Sequence, residues 1–155
     1  MHRGIQSATL ARLSRASGCE IDADNPGGFH AASCPTFDSR ARLLVELARD
    51  DARRDGRVRR LALQIARTCR TSEPEDLAPA IHAYVRDRVR YLDEGIQTFQ
   101  AAADTLDVGG NCANSTRLIL ALAASLGLRA ELYAREGKDG RKGHACAQLW
   151  DGSAM

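Results

Sequence analysis

The chain has 155 residues, of which 44% are apolar and 27% are charged, and its formal net charge is +2. This balance is typical of a single globular domain with one core and excludes an intrinsically disordered chain. The net charge is too small to indicate a nucleic-acid partner, and no apolar run approaches the roughly 18–20 residues that span a bilayer. We therefore expect neither a nucleic-acid partner nor a membrane partner.

The N-terminus lacks the apolar stretch and the cleavage site of a signal peptide. Five cysteines are scattered along the chain: Cys19, Cys34, Cys69, Cys112 and Cys146. Their odd number and wide spacing favour free thiols in a reducing, cytoplasmic compartment over a disulfide framework. Cys19, His30 and Cys34 could together hold zinc, but no CxxC spacing or fourth ligand accompanies them. We predict no metal and no cofactor.

The first third of the chain divides into an irregular segment and a helical one. Residues 1–37 contain turn formers and little periodic apolar pattern, which predicts an irregular N-terminal segment. Helical periodicity then begins, with Asp38 or Ser39 as the N-cap, and the "DG" at 55–56 separates a first helix from a second. The sequence therefore predicts a folded domain over residues 38–155.

An arginine-rich stretch lies around the predicted helix break: Arg53, Arg54, Arg57, Arg59 and Arg60. Such a cluster could contact phosphates, but it lacks interleaved aromatic residues, so a solvated helix face is the preferred interpretation. Further along, Ser72 and Glu75 have the spacing of a capping box around Pro74, which predicts the start of a third helix.

The second half of the chain changes from helical to alternating patterns. After a connection over 91–110, the stretch "GGNCANSTRLILALAASLGL" predicts an apolar helix with Cys112 in its first turn and Gly127 at its end. Residues 128–134 and 144–150 then alternate like two strands joined by a polar turn, and "DG" at 151–152 predicts a further turn. Helices followed by a helix on antiparallel strands indicate an α+β fold with a small sheet.

Cys112 is the strongest candidate for chemistry. The first turn of a helix offers free backbone N–H groups and the positive end of the helix dipole, which stabilise a thiolate and an oxyanion. Gly109 and Gly110 would let a substrate backbone approach closely. A thiol nucleophile needs a base, and His144 opens the strand that returns beside the helix start. The alternative is a buried thiol and a loop histidine with no shared role.

The stretches "DTLDVGGNCANSTRLILALAASLG" and "HACAQLW" resemble the transglutaminase-like core, a papain-related cysteine fold, and are most similar to the domains encoded in phages and prophages. The resemblance covers roughly residues 40–152. It implies that Cys112 is the nucleophile, that His144 is the general base and acid, and that the Cys112 N–H is one oxyanion donor. Gln100 is a second candidate donor, and Gly110 and Asn111 would lie beside the oxyanion and substrate.

The chain departs from the family pattern at three places. The family has an orienting acid on the strand after the histidine strand, a position that falls beyond Met155. Asp151 is either a turn residue or a substitute for that acid. Acids of the family pattern next to the cysteine are replaced by Asn111, which could still be an N-cap, and by Asn114. Without an orienting acid the imidazole tautomer is not fixed.

These patterns predict cysteine-dependent acyl transfer on a protein or peptide amide, with water or an amine as acceptor. A catalytically inactive binding or structural module, such as a phage-derived one in a virion, is the alternative. Cys146 alternates with His144, so both should lie on one face of the strand. The sequence favours neither acceptor and predicts no oligomeric state.

Overall fold

The computed structural model of the chain describes residues 7–21, 32–92, 100–138 and 143–152. Within these ranges the fold is α+β, as the sequence predicts. The helices are α1 (Ser7–Ser17), α2 (Phe37–Arg54), α3 (Gly56–Arg67), α4 (Pro74–Arg88), α5 (Asp104–Val108) and α6 (Cys112–Ser125). The strands are β1 (Glu20–Ile21), β2 (Ala32–Ser33), β3 (Ala130–Arg135) and β4 (His144–Leu149). No helix in these ranges is long and apolar enough to cross a membrane.

Helix α6 is the centre of the fold. Every residue from Thr116 to Ala123 is buried, as expected for a helix that is enclosed by other elements. Helices α2, α3 and α4 pack on α6, and so does the β3–β4 hairpin. The largest apolar cluster is built around this helix, and Leu118 and Leu122 are fully buried in it.

The two predicted strands form an antiparallel pair. Ala130 pairs with Leu149, and Arg135 pairs with His144 at the other end. Exposure alternates along both strands, so that Ala145, Ala147 and Leu149 are more buried than the residues between them. The hairpin therefore uses one face for the core and presents the other face to solvent.

The N-terminal segment is more regular than its sequence predicts. Residues 7–17 form α1, and β1 pairs antiparallel with β2. Leu13 of α1 is fully buried in a small cluster with Leu43 and Leu47 of α2. The prediction of an irregular segment over 1–37 is therefore wrong for its described part, because the apolar residues of α1 find their partners on a helix distant in sequence.

The prediction that all five cysteines are free is also wrong. Cys19 and Cys34, which are 15 positions apart in the sequence, form a disulfide, whereas Cys69, Cys112 and Cys146 are free thiols. The disulfide uses both thiols of the candidate zinc set, and His30 lies outside the described residues. Because a disulfide persists in oxidising surroundings, free thiols no longer support the prediction of a cytoplasmic location.

Two helix starts differ from the sequence prediction. Helix α2 is capped by Thr36 rather than by Asp38 or Ser39: the Thr36 hydroxyl accepts from the Ser39 N–H at 3.0 Å, and the Ser39 hydroxyl accepts from the Thr36 N–H at 3.1 Å. Helix α4 begins at Pro74, so its N-cap is Glu73, and no side chain caps it. The fixed φ of proline suits the first helical position, which shifts the start past Ser72.

A buried ion pair joins α2 to α6. Arg117 donates from Nε to Asp51 Oδ2 at 2.6 Å and from Nη2 to Oδ1 at 2.9 Å, and only 3% of the Arg117 side chain and 11% of that of Asp51 are exposed. The backbone of Ala102 also acts on the Asp51 carboxylate, and it lowers the pKa of that group. Burial raises the pKa of Asp51, and Arg117 opposes that rise. Three segments distant in sequence therefore meet at one carboxylate.

We expect Arg117→Met to destabilise the protein by about 3–5 kcal/mol, because removing one partner leaves a buried charge uncompensated. The double variant Asp51→Leu with Arg117→Met should lose less unfolding free energy than Arg117→Met alone. The loss in Arg117→Met should shrink as the pH falls, because the raised pKa lets folded Asp51 take up a proton before the unfolded chain does. Urea unfolding over a pH series measures the free energy of unfolding of the wild type and both variants. A loss of unfolding free energy in Arg117→Met that does not change with pH would contradict this explanation.

Candidate functional site

Cys112 is the first residue of α6, and the two flanking asparagines form its N-terminal cap. Asn111 is the N-cap, and its side-chain oxygen accepts from the N–H groups of Ala113 at 3.0 Å and Asn114 at 3.1 Å. The Asn114 side-chain oxygen accepts in return from the Asn111 N–H at 3.0 Å. This is a complete capping box, and it confirms the prediction that Asn111 caps the helix.

The capping box leaves one backbone donor of the first turn unused. The N–H groups of Ala113 and Asn114 are bonded to Asn111, and the Ser115 N–H donates to the Asn111 carbonyl at 3.0 Å. Among the residues that the structure describes, the Cys112 N–H has no hydrogen-bond partner. This donor lies at the positive end of a helix of 14 residues, and such a group favours a negatively charged ligand.

The glycine pair before Cys112 is required by close contacts within the chain itself. Gly109 has φ 83°, and a Cβ atom there would lie 2.5 Å from the Arg90 carbonyl oxygen. A Cβ atom on Gly110 would lie 2.5 Å from Cβ of Asn114. We predicted that these glycines admit a substrate backbone. In the structure the space beside each Cα is filled by Arg90 or Asn114.

A short β-bridge attaches this loop to the end of α4. Tyr91 and Gly110 form an isolated parallel bridge, in which the Gly110 N–H donates to the Arg90 carbonyl and the Leu92 N–H donates to the Gly110 carbonyl, both at 3.0 Å. The Tyr91 side chain is 63% exposed. The bridge holds the chain two residues before Cys112.

Gln100 lies beside the same loop but does not offer a free donor. Its side chain is buried, and its amide nitrogen donates to Thr105 Oγ1 at 2.8 Å and to the Gly109 carbonyl at 3.1 Å. A carboxamide nitrogen carries two hydrogens, so both are used. This arrangement favours support of the loop over the oxyanion donation predicted for Gln100.

The lengths of the elements indicate that His144 is at the same end of the fold as Cys112. Helix α6 has 14 residues and rises about 20 Å; after a short connection, the six residues of β3 return about 17–20 Å. His144 pairs with Arg135, the last residue of β3, and therefore lies near the level of the helix start. Within the described residues, however, no hydrogen bond joins Cys112 to His144.

The side chains of His144 and Cys146 are both exposed, as expected for alternate residues of a strand. Ala145, which lies between them, is more buried. The face that carries His144 is therefore the solvent face of the hairpin. Cys146 is directly opposite Tyr133 on this face, which makes it an accessible thiol for comparison with the partly buried Cys112.

Asp151 lies at the opposite end of β4 from His144. The six residues of β4 extend over about 16–20 Å, and the Trp150 N–H still continues the ladder by donating to the Arg129 carbonyl. This separation keeps Asp151 from orienting the His144 ring directly. Gly152 follows with φ 86°, a conformation that suits the predicted turn. Asp151 is better explained as a turn residue.

The arginine-rich stretch contributes to the site through one ion pair. Arg57 at the start of α3 donates to both carboxylate oxygens of Asp107, each at 2.6 Å. Asp107 belongs to α5, which leads directly into Gly109. Sequence reasoning missed this pair, the Gln100 contacts and the link from Asp51 to Arg117. An arginine within the apolar pattern of α6 was the one visible signal, because such a residue needs a buried acidic partner.

We expect Arg57→Gln to lower stability slightly at neutral pH and not at all in acid. The hydrogen bond from Arg57 lowers the pKa of Asp107, so its stabilising contribution is present above the unfolded pKa and disappears as the pH falls through the folded one. Salt should weaken the effect, because the pair is exposed. Denaturant unfolding of both proteins tests this, with Arg86→Gln as the control for a surface ion pair between adjacent residues. A lower unfolding free energy of Arg57→Gln that persists in acid would contradict the expectation.

Within the described residues, no group of three or more histidine, cysteine, aspartate or glutamate side chains is arranged to hold a metal ion. In comparisons with known proteins, no family model, no curated protein and no solved structure matches this chain. The site therefore consists of three features of the described part of the chain: a cysteine at a capped helix start, its N–H without a partner there, and a histidine on the returning strand.

Proposed function

We propose that this chain is a transglutaminase-like α+β domain that transfers acyl groups from protein or peptide amides through a thioester on Cys112. The observation that carries the proposal is the unpartnered N–H of Cys112, in the described part of the chain, at the start of a buried helix. A thiol and a donor for an oxyanion then belong to the same residue. The lengths of α6 and β3, which indicate that His144 is near the level of the helix start, support its role as the base.

The proposed reaction begins when His144 accepts the proton of the Cys112 thiol. The thiolate attacks the amide carbonyl carbon, the carbonyl electrons move to the oxygen, and the Cys112 N–H donates to that oxyanion. The oxyanion then collapses, the C–N bond breaks, and His144 returns the proton to the leaving amine. Water or a second amine loses a proton to His144, attacks the thioester and releases the thiol, which gives an acid or a new amide.

His144 must approach Cys112 for this reaction. Catalytic hydrogen bonds are often long before substrate binds and shorten in the reacting complex. His144 is the first residue of β4, and its side chain lies on the solvent face of the hairpin, opposite the core face that packs on α6. The reaction therefore requires the backbone at the start of β4 to change conformation so that the ring reaches Cys112. Both residues of the N-terminal capping box of α6 are neutral asparagines, so no acid in that box competes with a thiolate or an oxyanion for the Cys112 N–H.

The alternative function is a non-catalytic binding or structural module with the same fold. Two observations favour it: Cys112 and His144 are not hydrogen-bonded within the described residues, and the amide hydrogens of Gln100 are already used. In such a module Cys112 is only the small residue with which α6 begins. Activity of the intact chain distinguishes the two functions.

We expect Cys112→Ala to lose activity by roughly 1,000-fold or more, because the nucleophile cannot be replaced by its neighbours. Two assays are needed, hydrolysis of peptide amides and incorporation of a fluorescent primary amine into a protein, since either acceptor fits the proposal. Cys146→Ala is the matched control: it removes an exposed thiol two residues from His144 and should retain activity. No turnover by the wild-type chain in either assay, or equal activity of Cys112→Ala, would favour the non-catalytic module.

A further inference from the structure

We propose that Gln100 is a positioning residue that locks the peptide unit between Gly109 and Gly110 and so fixes the direction in which Cys112 presents its N–H and thiol. This inference rests on the proposed role of Cys112. It differs from oxyanion donation, because Gln100 acts here through the backbone and does not contact the substrate.

The peptide unit between the two glycines is held at both of its polar atoms. Its oxygen, which belongs to Gly109, accepts from the Gln100 amide at 3.1 Å, and its N–H, which belongs to Gly110, donates to the Arg90 carbonyl at 3.0 Å. Glycine restricts rotation about its backbone bonds less than any other residue. Two consecutive glycines therefore need external contacts to keep one orientation of the peptide between them.

Gln100 can provide such a contact because it is itself fixed. Its side chain is 7% exposed, and its second amide hydrogen bonds to Thr105, which is fully buried. Burial of a polar side chain is costly unless its hydrogen bonds are made. The amide therefore has one satisfied orientation in this structure, and that orientation includes the Gly109 carbonyl.

The lock extends along the chain to Cys112. The Gly110 carbonyl accepts from Leu92, the Asn111 N–H donates to Asn114, and the Asn111 carbonyl accepts from Ser115. From the Gly109 carbonyl to Cys112 every backbone polar group has a partner within the described residues except the Cys112 N–H. If the Gly109 carbonyl is released, the peptide can rotate, and the alignment of this N–H with the thiol is no longer fixed.

The test measures the rate of Cys112 alkylation by iodoacetamide, resolved from Cys146 by peptide mass spectrometry in the same sample. Gln100→Leu should slow the alkylation of Cys112 about tenfold at neutral pH, the equivalent of about one hydrogen bond, and leave Cys146 unchanged. Thr105→Val is the comparison variant: it removes the bond that orients Gln100 but leaves the contact with Gly109 available, so it should slow Cys112 less than Gln100→Leu does.

Gln100→Glu keeps the size of the side chain and serves if Gln100→Leu does not fold. When ionised it places an oxygen against the Gly109 carbonyl, whereas the protonated acid can donate one hydrogen bond to it. The ratio of its Cys112 rate to that of the wild type should therefore recover as the pH falls. A merely structural role would change the rates of Cys112 and Cys146 together, or give Thr105→Val the same defect as Gln100→Leu.

Either of those results, or an unchanged Cys112 rate in a folded Gln100 variant, would overturn the inference. Alkylation needs no turnover, so this test gives a result even if the chain has no acyl-transfer activity. If the chain is active, Gln100→Leu should lower kcat and leave KM nearly unchanged, because the substrate does not contact Gln100. A rise in KM with kcat unchanged would also overturn the inference.

Discussion

The arrangement of the candidate site depends on the buried ion pair between Asp51 and Arg117. Arg117 lies in the buried part of α6, five residues after Cys112, and Asp51 fixes it to α2. The backbone of Ala102 also acts on the Asp51 carboxylate. The segment that follows Ala102 leads into α5 and the glycine pair. Because a buried pair often contributes little net stability compared with apolar residues, its effect here is best understood as fixing the position of α6.

A second set of contacts holds the segment before Cys112 in place relative to α6. Arg57 holds α5 through Asp107, Gln100 holds the Gly109 carbonyl, and the bridge with Tyr91 holds Gly110. The asparagine capping box then satisfies the amides that follow Cys112. These contacts come from separate segments, yet together they leave one backbone N–H of the first turn available among the described residues. The free donor is thus a product of the surrounding hydrogen bonds as much as of the helix end.

Periodicity and turn chemistry predicted the parts of the fold that depend on neighbours in sequence. The break at Asp55 and Gly56, the start of α6 at Cys112, its Asn111 cap and the β3–β4 pair are all confirmed. Contacts between distant residues could not be predicted in this way. The Cys19–Cys34 disulfide, the packing of α1 and the link from Asp51 to Arg117, which are 66 residues apart, depend on tertiary proximity. The Gln100 side chain was placed near the site, but its partners depend on a backbone path that only the structure shows.

The most direct test of the central claim is to look for the thioester itself. The intact chain is mixed with an activated ester of a peptide, quenched in acid, and analysed by mass spectrometry for an acyl group on each cysteine. We expect acylation of Cys112 with release of one equivalent of alcohol per chain before steady state, slower acylation of Cys112 in His144→Ala, and none of comparable rate on Cys146. Acylation of Cys112 and Cys146 at similar rates, unaffected by His144→Ala, would contradict the claim that α6 and His144 make Cys112 a nucleophile.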